Sequence, residues 1–275
     1  MAVQNLDLND GNTIPQLGFG VFKVDPAETE RIVTDALQAG YRHIDTAAIY
    51  GNEEGVGRAI AASGIDRSEL FITTKLWNDR RGRTETRRAI DESLQKLGLD
   101  YVDLFLIHWP APSGDPIRET WETFADLRNE GLTRSIGVSN FDERFLPSIL
   151  ETGIIPVVNQ IELHPQFQQR ATQELCAEHN IKIEAWGPLG QGKVDFTSGP
   201  VGAVAERHGV TWAQAIIAWH LAQGRIVFPK SNSAERMAEN FAAHEVTLTA
   251  EDLADIDALD KGTEGRVSAD PATVD

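Results

Sequence analysis

The sequence of 275 residues contains one cysteine, Cys176, so no disulfide can form within the chain. A lone thiol is typical of proteins in reducing compartments. Cys176 lies in the segment RATQELCAEHN, whose apolar residues have helical spacing. We therefore interpret it as a small buried residue, and the alternative is a catalytic nucleophile.

Long hydrophobic runs and an excess of positive charge are also missing. No stretch is long enough to span a bilayer, and the N-terminal residues lack the basic start and apolar core of a signal peptide. The formal net charge is −17, which argues against nonspecific binding to nucleic acid or to anionic membranes. We expect a cytoplasmic protein that binds neither of them.

Three common catalytic motifs are absent as well. No G-x-G-x-x-G follows a strand, so the usual dinucleotide fingerprint is missing. The segment GPLGQGK resembles a phosphate-binding loop, but Pro188 interrupts it and Val194 replaces the hydroxyl that such a loop needs. Ser139, in GVSNF, lacks the second glycine of the hydrolase nucleophile motif. These patterns therefore predict neither ATP binding nor serine hydrolysis.

The sequence does contain eight short apolar segments of strand length, most of them followed by an amphipathic helical pattern. They are LGFGVF from residue 17, YRHID from 41, LFITTK from 70, VDLFLIH from 102, TRSIGVSN from 133, VVNQIELH from 157, IKIEAWG from 181 and RIVFPKS from 225. Apolar strands that alternate with helices indicate a parallel sheet covered on its outer face. Eight such units predict an α/β fold, a single (β/α)8 TIM barrel over residues 1–275.

Helix boundaries are marked between the strands. For the first helix we predict Asp25 as N-cap, with Glu28 completing a capping box, and Gly40 as C-cap. The longest interval carries two helical patterns, around 199–208 and 211–222, which predict extra helices near the C-terminus.

Both ends of the chain differ from the repeating units. LDLNDGNTIPQL predicts an N-terminal β-hairpin that turns at Asp10 and Gly11 and plugs one end of the barrel. Residues 261–275 form a polar, irregular tail. This tail either frays or folds back through residues 265–268 near the barrel mouth.

Four polar residues fall at, or just past, the ends of the predicted strands. Asp45 ends YRHID and Tyr50 follows it, Lys75 ends LFITTK, and His108 ends LFLIH. Parallel strands would bring all four side chains to the same rim of the barrel. Each residue alone is more often a surface group or a satisfied core group, but their coincidence indicates a proton-transfer site without a metal.

These side chains suit the reduction of a carbonyl group. Tyrosine is a poor acid at neutral pH because its unperturbed pKa is about 10. A cation at Lys75 should lower that pKa, and Asp45 should keep the ammonium charged and oriented. His108 would orient the carbonyl or relay a proton, while Tyr50 protonates the oxygen.

Six segments together resemble the aldo-keto reductase superfamily: HIDTAAIYGNEEGVG, ITTKLWN, DLFLIHWP, RSIGVSN, NQIELHP and VFPKSNSAERMAEN. They cover nearly the whole chain in order. The chain is most similar to the bacterial 2,5-diketo-D-gluconic acid reductases, from LNDGNTIPQLGFGVFKV through to GRVSADPATVD. The resemblance implies that Asp45, Tyr50, Lys75 and His108 are the catalytic tetrad, with Tyr50 as the general acid.

The same resemblance implies NADPH (NADP+) as the cofactor. It assigns the nicotinamide carboxamide to Ser139, Asn140 and Gln160, and stacking on the nicotinamide to Trp186. The alternative for Trp186 is a core tryptophan. The residues implied to approach the pyrophosphate are Gly187, Leu189, Gly190 and Gln191.

At the adenosine end the resemblance implies that Lys230, Ser231 and Arg236 bind the 2′-phosphate, with Asn232 as a further cofactor-binding position. Glu239 and Asn240 would lie near the adenine. A lysine and an arginine beside a helix N-terminus make a good phosphate site, and the alternative is a solvated basic patch. Asn232 departs from the aliphatic residue expected at its position.

For the substrate, aromatic residues follow several strand ends and would form apolar walls; the alternative is packing of the barrel rim. They are Phe22, Trp77, Trp109 and Phe141, with His108 between them. Phe141 stands where the most similar group has histidine, so the sequence leaves open a keto-sugar acid such as 2,5-diketo-D-gluconate, small diketones and aldehydes.

Two other functions have some support in the sequence. His43 with Asp45, and Glu162 with His164, could serve a metal-dependent hydrolase, although no further histidine completes a site. The second alternative function is that of a barrel that binds NADPH without catalysing a reaction, such as a redox-sensing subunit. We expect an enzyme acting on a small-molecule carbonyl substrate, in a monomer without a metal.

Overall fold

The computed structural model describes residues 3–112 and 116–275. Among these residues, eight strands form one parallel sheet whose order follows the chain. The strands are β3 (Phe19–Gly20), β4 (His43–Asp45), β5 (Phe71–Leu76), β6 (Val102–Ile107), β7 (Thr133–Ser139), β8 (Val158–Glu162), β9 (Lys182–Trp186) and β10 (Ile226–Val227).

The sheet closes into a barrel where its first and last strands meet. Leu17, just before β3, pairs in parallel with Val227 of β10. The Gly18 amide donates to the Val227 carbonyl, and the Val227 amide donates to the Gln16 carbonyl, each at 3.0 Å. This closure leaves the sheet without a free edge. The predicted (β/α)8 barrel is confirmed.

Helices follow the strands and cover the outside of the barrel. The α-helices of the described residues are α1 (Thr29–Ala39), α2 (Glu53–Ser63), α3 (Arg83–Leu97), α4 (Ile117–Asn129), α5 (Leu146–Leu150), α6 (Arg170–Glu178), α7 (Gly199–His208), α8 (Trp212–Ala222), α9 (Ala234–Ala242) and α10 (Ala250–Asp257). The two predicted late patterns coincide with α7 and α8, within a residue at their starts. In the part of the chain that is described, no helix combines the length and apolarity needed to cross a membrane.

Helix α1 begins later than the sequence predicts. Asp25 is not its N-cap, because this carboxylate accepts a hydrogen bond from the amide two residues later, in a turn that precedes the helix. The first helical residue is Thr29, and Glu28 makes an ion pair with Arg31 at 2.9 Å instead of a capping box. The predicted end is right, since Gly40 adopts a left-handed φ of 111°.

The N-terminal hairpin lies against the barrel. Strands β1 (Asn5–Asp7) and β2 (Thr13–Pro15) pair antiparallel around the predicted turn. Ile14 has no exposed surface and belongs to the apolar cluster of the barrel interior. The Asn9 amide donates to the carbonyl of Pro156, just before β8, at 2.9 Å. The hairpin therefore covers the N-terminal end of the barrel.

His43 lies deeper in the barrel than the C-terminal rim. Its side chain is fully buried, with Nδ1 3.2 Å from the Pro15 carbonyl and Nε2 3.1 Å from the Thr73 hydroxyl. Burial lowers its pKa to about 3, with a smaller effect from the Lys75 charge. His43 is thus a neutral, hydrogen-bonded core residue.

Candidate active site

Strands β4 and β5 bring a carboxylate and an ammonium group into contact. The Nζ of Lys75 donates to both oxygens of Asp45, at 2.7 and 2.8 Å, and to the Thr46 carbonyl at 2.8 Å. Lys75 is fully buried and Asp45 is 5% exposed. Burial by itself would lower the pKa of Lys75, but attraction to Asp45 and to Tyr50 raises it above its ordinary value. The lysine is therefore a fixed cation.

Tyr50 ends a short 3-10 helix, Ala48–Tyr50, that follows β4. Its ring lies beside Lys75, whose Nζ is 5.2 Å from the ring centroid. Lys75 lowers the pKa of the phenol, as expected, but the net shift of that pKa is upward. Burial raises that pKa by more than Lys75 lowers it, and Asp45 raises it further. The phenol thus keeps its proton at neutral pH and is held next to a cation that stabilises its anion.

His108 directly follows β6 and faces the phenol. Its ring centroid lies 5.6 Å from that of Tyr50, with the rings nearly perpendicular. Burial and the Lys75 charge hold the pKa of His108 well below 6.5, so the imidazole is neutral. Its Nδ1 is buried and has no hydrogen-bond partner among the described residues. A proton on Nε2, the nitrogen not enclosed in this way, would make that atom a hydrogen-bond donor.

The predicted carboxamide ligands also come together. Asn140 has a φ of 66°. Its backbone amide and the Ser139 hydroxyl both donate to the backbone carbonyl of Gln160 at 2.9 Å. The Asn140 side chain donates to the His108 carbonyl at 2.9 Å and accepts a hydrogen bond from the Trp186 indole at 2.9 Å. This network links the half-buried indole of Trp186 to His108 through Asn140.

A loop with unusual backbone conformations follows Trp186. Gly187, Gly190 and Gln191 all have left-handed φ values, of 61°, 67° and 52°. Leu189 is half-buried between them. Between Trp186 and Gly199 no α-helix starts, which agrees with rejecting a nucleotide-triphosphate loop. The backbone therefore turns sharply directly after the indole of Trp186.

The adenosine-end residues gather at the start of α9. Ser233 caps this helix by accepting a hydrogen bond from the Arg236 amide, and Lys230 and Arg236 are exposed beside it. Partial burial and the neighbouring charge of Lys23 lower the pKa of Lys230. A lysine and an arginine at a helix N-terminus fit a phosphate group well, so the residues present suit the predicted cofactor.

The other adenosine-end residues differ in their exposure. Ser231 is 7% exposed and its hydroxyl accepts a hydrogen bond from the Ser233 amide, whereas Asn232 is exposed. Glu239 accepts a hydrogen bond from the Thr211 hydroxyl at 2.8 Å. Asn240 is 4% exposed. Glu239 thus ties α9 to Thr211, and Asn240 is buried. A contact with adenine would involve only the part of each side chain that is still accessible.

Three of the four predicted substrate aromatics surround the tetrad. The Phe22 ring is 47% exposed and lies 5.0 Å from that of Tyr50. Trp77 lies 5.2 Å from the His108 ring, and Trp109 lies 6.5 Å from Trp186. These rings form apolar walls around a polar centre.

Phe141 does not line this opening. Its side chain has no exposed surface and belongs to the main apolar core. Its carbonyl accepts a hydrogen bond from the buried Asn159 amide at 2.5 Å. For Phe141 the alternative of rim packing is therefore the correct one.

A sequence model described as the aldo/keto reductase family matches residues 16–261. The chain belongs to this family. An aldo-keto reductase from Mycobacterium sp. (strain KMS) is 51% identical over 274 residues, covering 99% of this chain and 98% of that protein. The methylglyoxal reductase DkgA from Escherichia coli is 47% identical over 268 residues, covering 97% and 96%. A mutant of Gox0644 in complex with NADPH has a TM-score of 0.95 at 45% identity, with 100% of both chains covered.

Membership confirms the predicted enzyme class, an NADP-dependent oxidoreductase of the aldo-keto reductase type. The metal-dependent hydrolase considered from the sequence has little support in the structure. His43, one of its supposed ligands, is held in the core by Pro15 and Thr73. Its ring is therefore unavailable to a metal at the rim.

The C-terminal tail of this aldo-keto reductase lies against the barrel mouth. The amides of Val267 and Ser268 donate to the carboxylate of Glu162, the last residue of β8, at 2.7 and 3.2 Å. Asp270 forms an ion pair with Arg144 at 2.6 Å. Of the two alternatives for the tail, the structure shows the folded one.

Two charged residues near this site were missed by sequence reasoning. Glu184 lies on β9 two residues before Trp186, so strand alternation places both side chains on the same face. That spacing is a signal that could have found it. The charge of Lys23, which follows Phe22, lowers the pKa of Lys230 although the two residues are far apart in sequence, and no local pattern indicates this effect.

Proposed function

We propose that this aldo-keto reductase uses NADPH to reduce a carbonyl group of small dicarbonyl compounds and aldehydes, with keto-sugar acids as further substrates. The observation that carries the proposal is a protonated phenol, Tyr50, whose ring centroid lies 5.2 Å from the buried Lys75 ammonium and 5.6 Å from the ring of neutral His108. The similarity to methylglyoxal reductases supports small dicarbonyls as the substrate class.

The residues of the site have distinct tasks in this proposal. A carbonyl oxygen near the phenol would accept hydrogen bonds from the Tyr50 hydroxyl and from Nε2 of His108. The bound nicotinamide supplies the hydride that the carbonyl carbon receives. Tyr50 then gives its proton to the oxygen, and the Lys75 ammonium stabilises the phenolate. Asp45 keeps that ammonium in place.

We also propose which residues bind each group of the cofactor. We assign the carboxamide to Ser139, Asn140 and Gln160, and stacking on the nicotinamide to Trp186. The turning backbone after Trp186 would receive the pyrophosphate, and the cations at the start of α9 the 2′-phosphate. Phe22, Trp77 and Trp109 would enclose a small substrate, because they are the aromatic walls next to the tetrad.

The direct test is the loss of NADPH absorbance with a panel of carbonyl compounds. The panel contains methylglyoxal, diacetyl, 2,5-diketo-D-gluconate, a simple aldehyde and a 2-keto acid. We expect turnover with the dicarbonyl compounds and the aldehyde. Tight NADPH binding with no turnover on any member would contradict the proposal and would favour a barrel that only binds the cofactor.

Replacing Arg236 by alanine tests the phosphate site. Losing one charge-assisted contact to the 2′-phosphate removes about 1.5–3 kcal/mol. We expect the Kd for NADPH to rise about tenfold or more, while the Kd for NADH, which lacks this phosphate, stays the same. Fluorescence titration with both cofactors measures the two constants.

The matched control for this test is Arg58→Ala, which removes an exposed arginine of α2 that pairs with Glu30. This variant should bind both cofactors as the unmodified chain does. An unchanged NADPH affinity in Arg236→Ala would show that the basic residues beside α9 are only a solvated patch.

A further inference from the structure

Glu184 is a buried carboxyl group in the barrel interior, and no role has been given to it above. Its side chain has no exposed surface. Its Oε2 accepts a hydrogen bond from Nε2 of Gln160 at 3.0 Å, and the same nitrogen donates to Oδ2 of Asp45 at 2.8 Å. Its Oε1 is buried without a hydrogen-bond partner among residues 3–112 and 116–275. The side-chain amide of Gln160 therefore connects Glu184 to Asp45 of the Asp45–Lys75 ion pair.

This arrangement fixes the orientation of the Gln160 side chain. An amide nitrogen carries two hydrogens, and here one points to each of the two carboxyl groups. The amide oxygen must then face away from both carboxyls. The Gln160 oxygen is then free of both carboxyl groups and could accept a hydrogen bond from the N–H of the nicotinamide carboxamide.

Few charges surround Glu184. Asp45 approaches it from β4 and Lys75 from β5, while Gln160 pairs with it across β8. On β10 its partner in the register is the uncharged Ile226. Two carboxyl groups thus share one ammonium ion, and that ion already donates to both oxygens of Asp45.

The protonation of Glu184 follows from these surroundings. Burial, and then repulsion by Asp45, raises its pKa to about 8, although Gln160 and Lys75 act in the opposite direction. The pKa values of Tyr50 and Lys75 lie above their ordinary values near 10, and that of His108 lies well below 6.5. Of these groups, only Glu184 changes charge between pH 7 and 9.

We propose that Glu184 is a positioning residue that acts through Gln160, and that its proton sets the relative affinity of the site for NADP+ and NADPH. The inference rests on the proposed function. The oxidised nicotinamide ring carries a positive charge that the reduced ring lacks. An ionised Glu184 therefore favours NADP+, and a protonated Glu184 removes this preference and eases release of the oxidised product.

The test measures the Kd of each cofactor by fluorescence titration at pH 7 and at pH 9. In the unmodified enzyme the ratio of the Kd for NADP+ to that for NADPH should fall on the order of tenfold, the effect of one pKa unit. In Glu184→Gln, which cannot ionise, the ratio should change by less than about twofold. Protonation of the phosphates and of Lys230 affects both cofactors and cancels in the ratio.

Asp103→Asn is the matched control. Asp103 is also a buried carboxylate, 2% exposed, but it lies at the start of β6, at the far end of the barrel. This variant should keep the full change of the ratio. A loss of the change in Asp103→Asn as well would show that any buried carboxylate matters, which contradicts a specific role for Glu184.

A calorimetric measurement on the unmodified enzyme needs no variant. Binding of NADP+ at pH 8 in buffers of different ionisation enthalpy should release more protons than binding of NADPH, because the charged ring drives ionisation of Glu184. Equal proton release, or the same pH-dependent ratio in Glu184→Gln, would overturn the inference and leave the reductase function intact. Failure of the unmodified protein to bind NADPH would instead overturn the proposed function, and this inference with it.

Discussion

Tyr50→Phe is expected to reduce carbonyl turnover by about 10²- to 10⁴-fold, the usual contribution of a general acid. The variant keeps the aromatic ring beside His108 and Phe22 and loses only the hydroxyl, whose pKa Lys75 lowers. The Kd for NADPH should stay within about twofold, since no cofactor group has been assigned to this hydroxyl. Steady-state NADPH oxidation and fluorescence titration measure the two effects separately.

Tyr101→Phe is the matched control for this prediction. Tyr101 precedes β6 at the opposite end of the barrel, where the guanidinium groups of Arg67 and Arg134 lie over its ring. Loss of this hydroxyl should leave turnover unchanged. If Tyr50→Phe retained most of the activity while Tyr101→Phe behaved normally, another group would have to supply the proton.

The pH dependence of the unmodified enzyme gives an independent test of Tyr50. The acid form of the phenol is the donor, so turnover is present below the pKa of Tyr50 and is lost as the pH rises through it. Because burial raises that pKa above 10, the loss should occur above about pH 10. A change near pH 8 would report Glu184 instead, and Glu184→Gln should remove that change alone.

The parts of the site that the sequence predicts are those at strand ends. Asp45, Lys75 and His108 could be placed because a run of buried residues has a visible end and parallel strands end at one rim. The chain order of the strands then makes neighbours of residues far apart in sequence. Local patterns therefore sufficed for the positions of the tetrad.

Contacts between distant segments could not be predicted in this way. The pKa of Tyr50 depends on how deeply the phenol is buried, and the sequence shows only that a lysine is near. Glu184 sits within an apolar segment, and its importance comes from Asp45 and Gln160, which other strands supply. The prediction of Asp25 as N-cap was wrong because its carboxylate accepts a hydrogen bond within the turn before the helix. Residue propensity alone does not distinguish the two positions.

Lys75→Met is expected to lower the free energy of unfolding by about 3–5 kcal/mol at neutral pH, the usual result of removing one partner of a buried ion pair. Methionine fills a similar volume but leaves Asp45 buried without its cation. The deficit should shrink as the pH falls. A buried carboxyl group without a cation favours its neutral form, so the folded variant binds more protons than the unfolded chain and gains stability toward acid.

Urea unfolding of the unmodified chain and the variant at pH 5 and pH 8 measures this prediction. Arg83→Met is the matched control, because it removes an exposed partner of Asp126 at 2.7 Å and should cost less than about 1 kcal/mol at both values. Adding Asp45→Asn to Lys75→Met should restore part of the stability at pH 8, since no uncompensated charge remains at that position. An equal deficit at both pH values, with no recovery in the double variant, would mean that Lys75 stabilises the barrel by packing alone, and the buried charge would then have no part in holding the phenol ready to act.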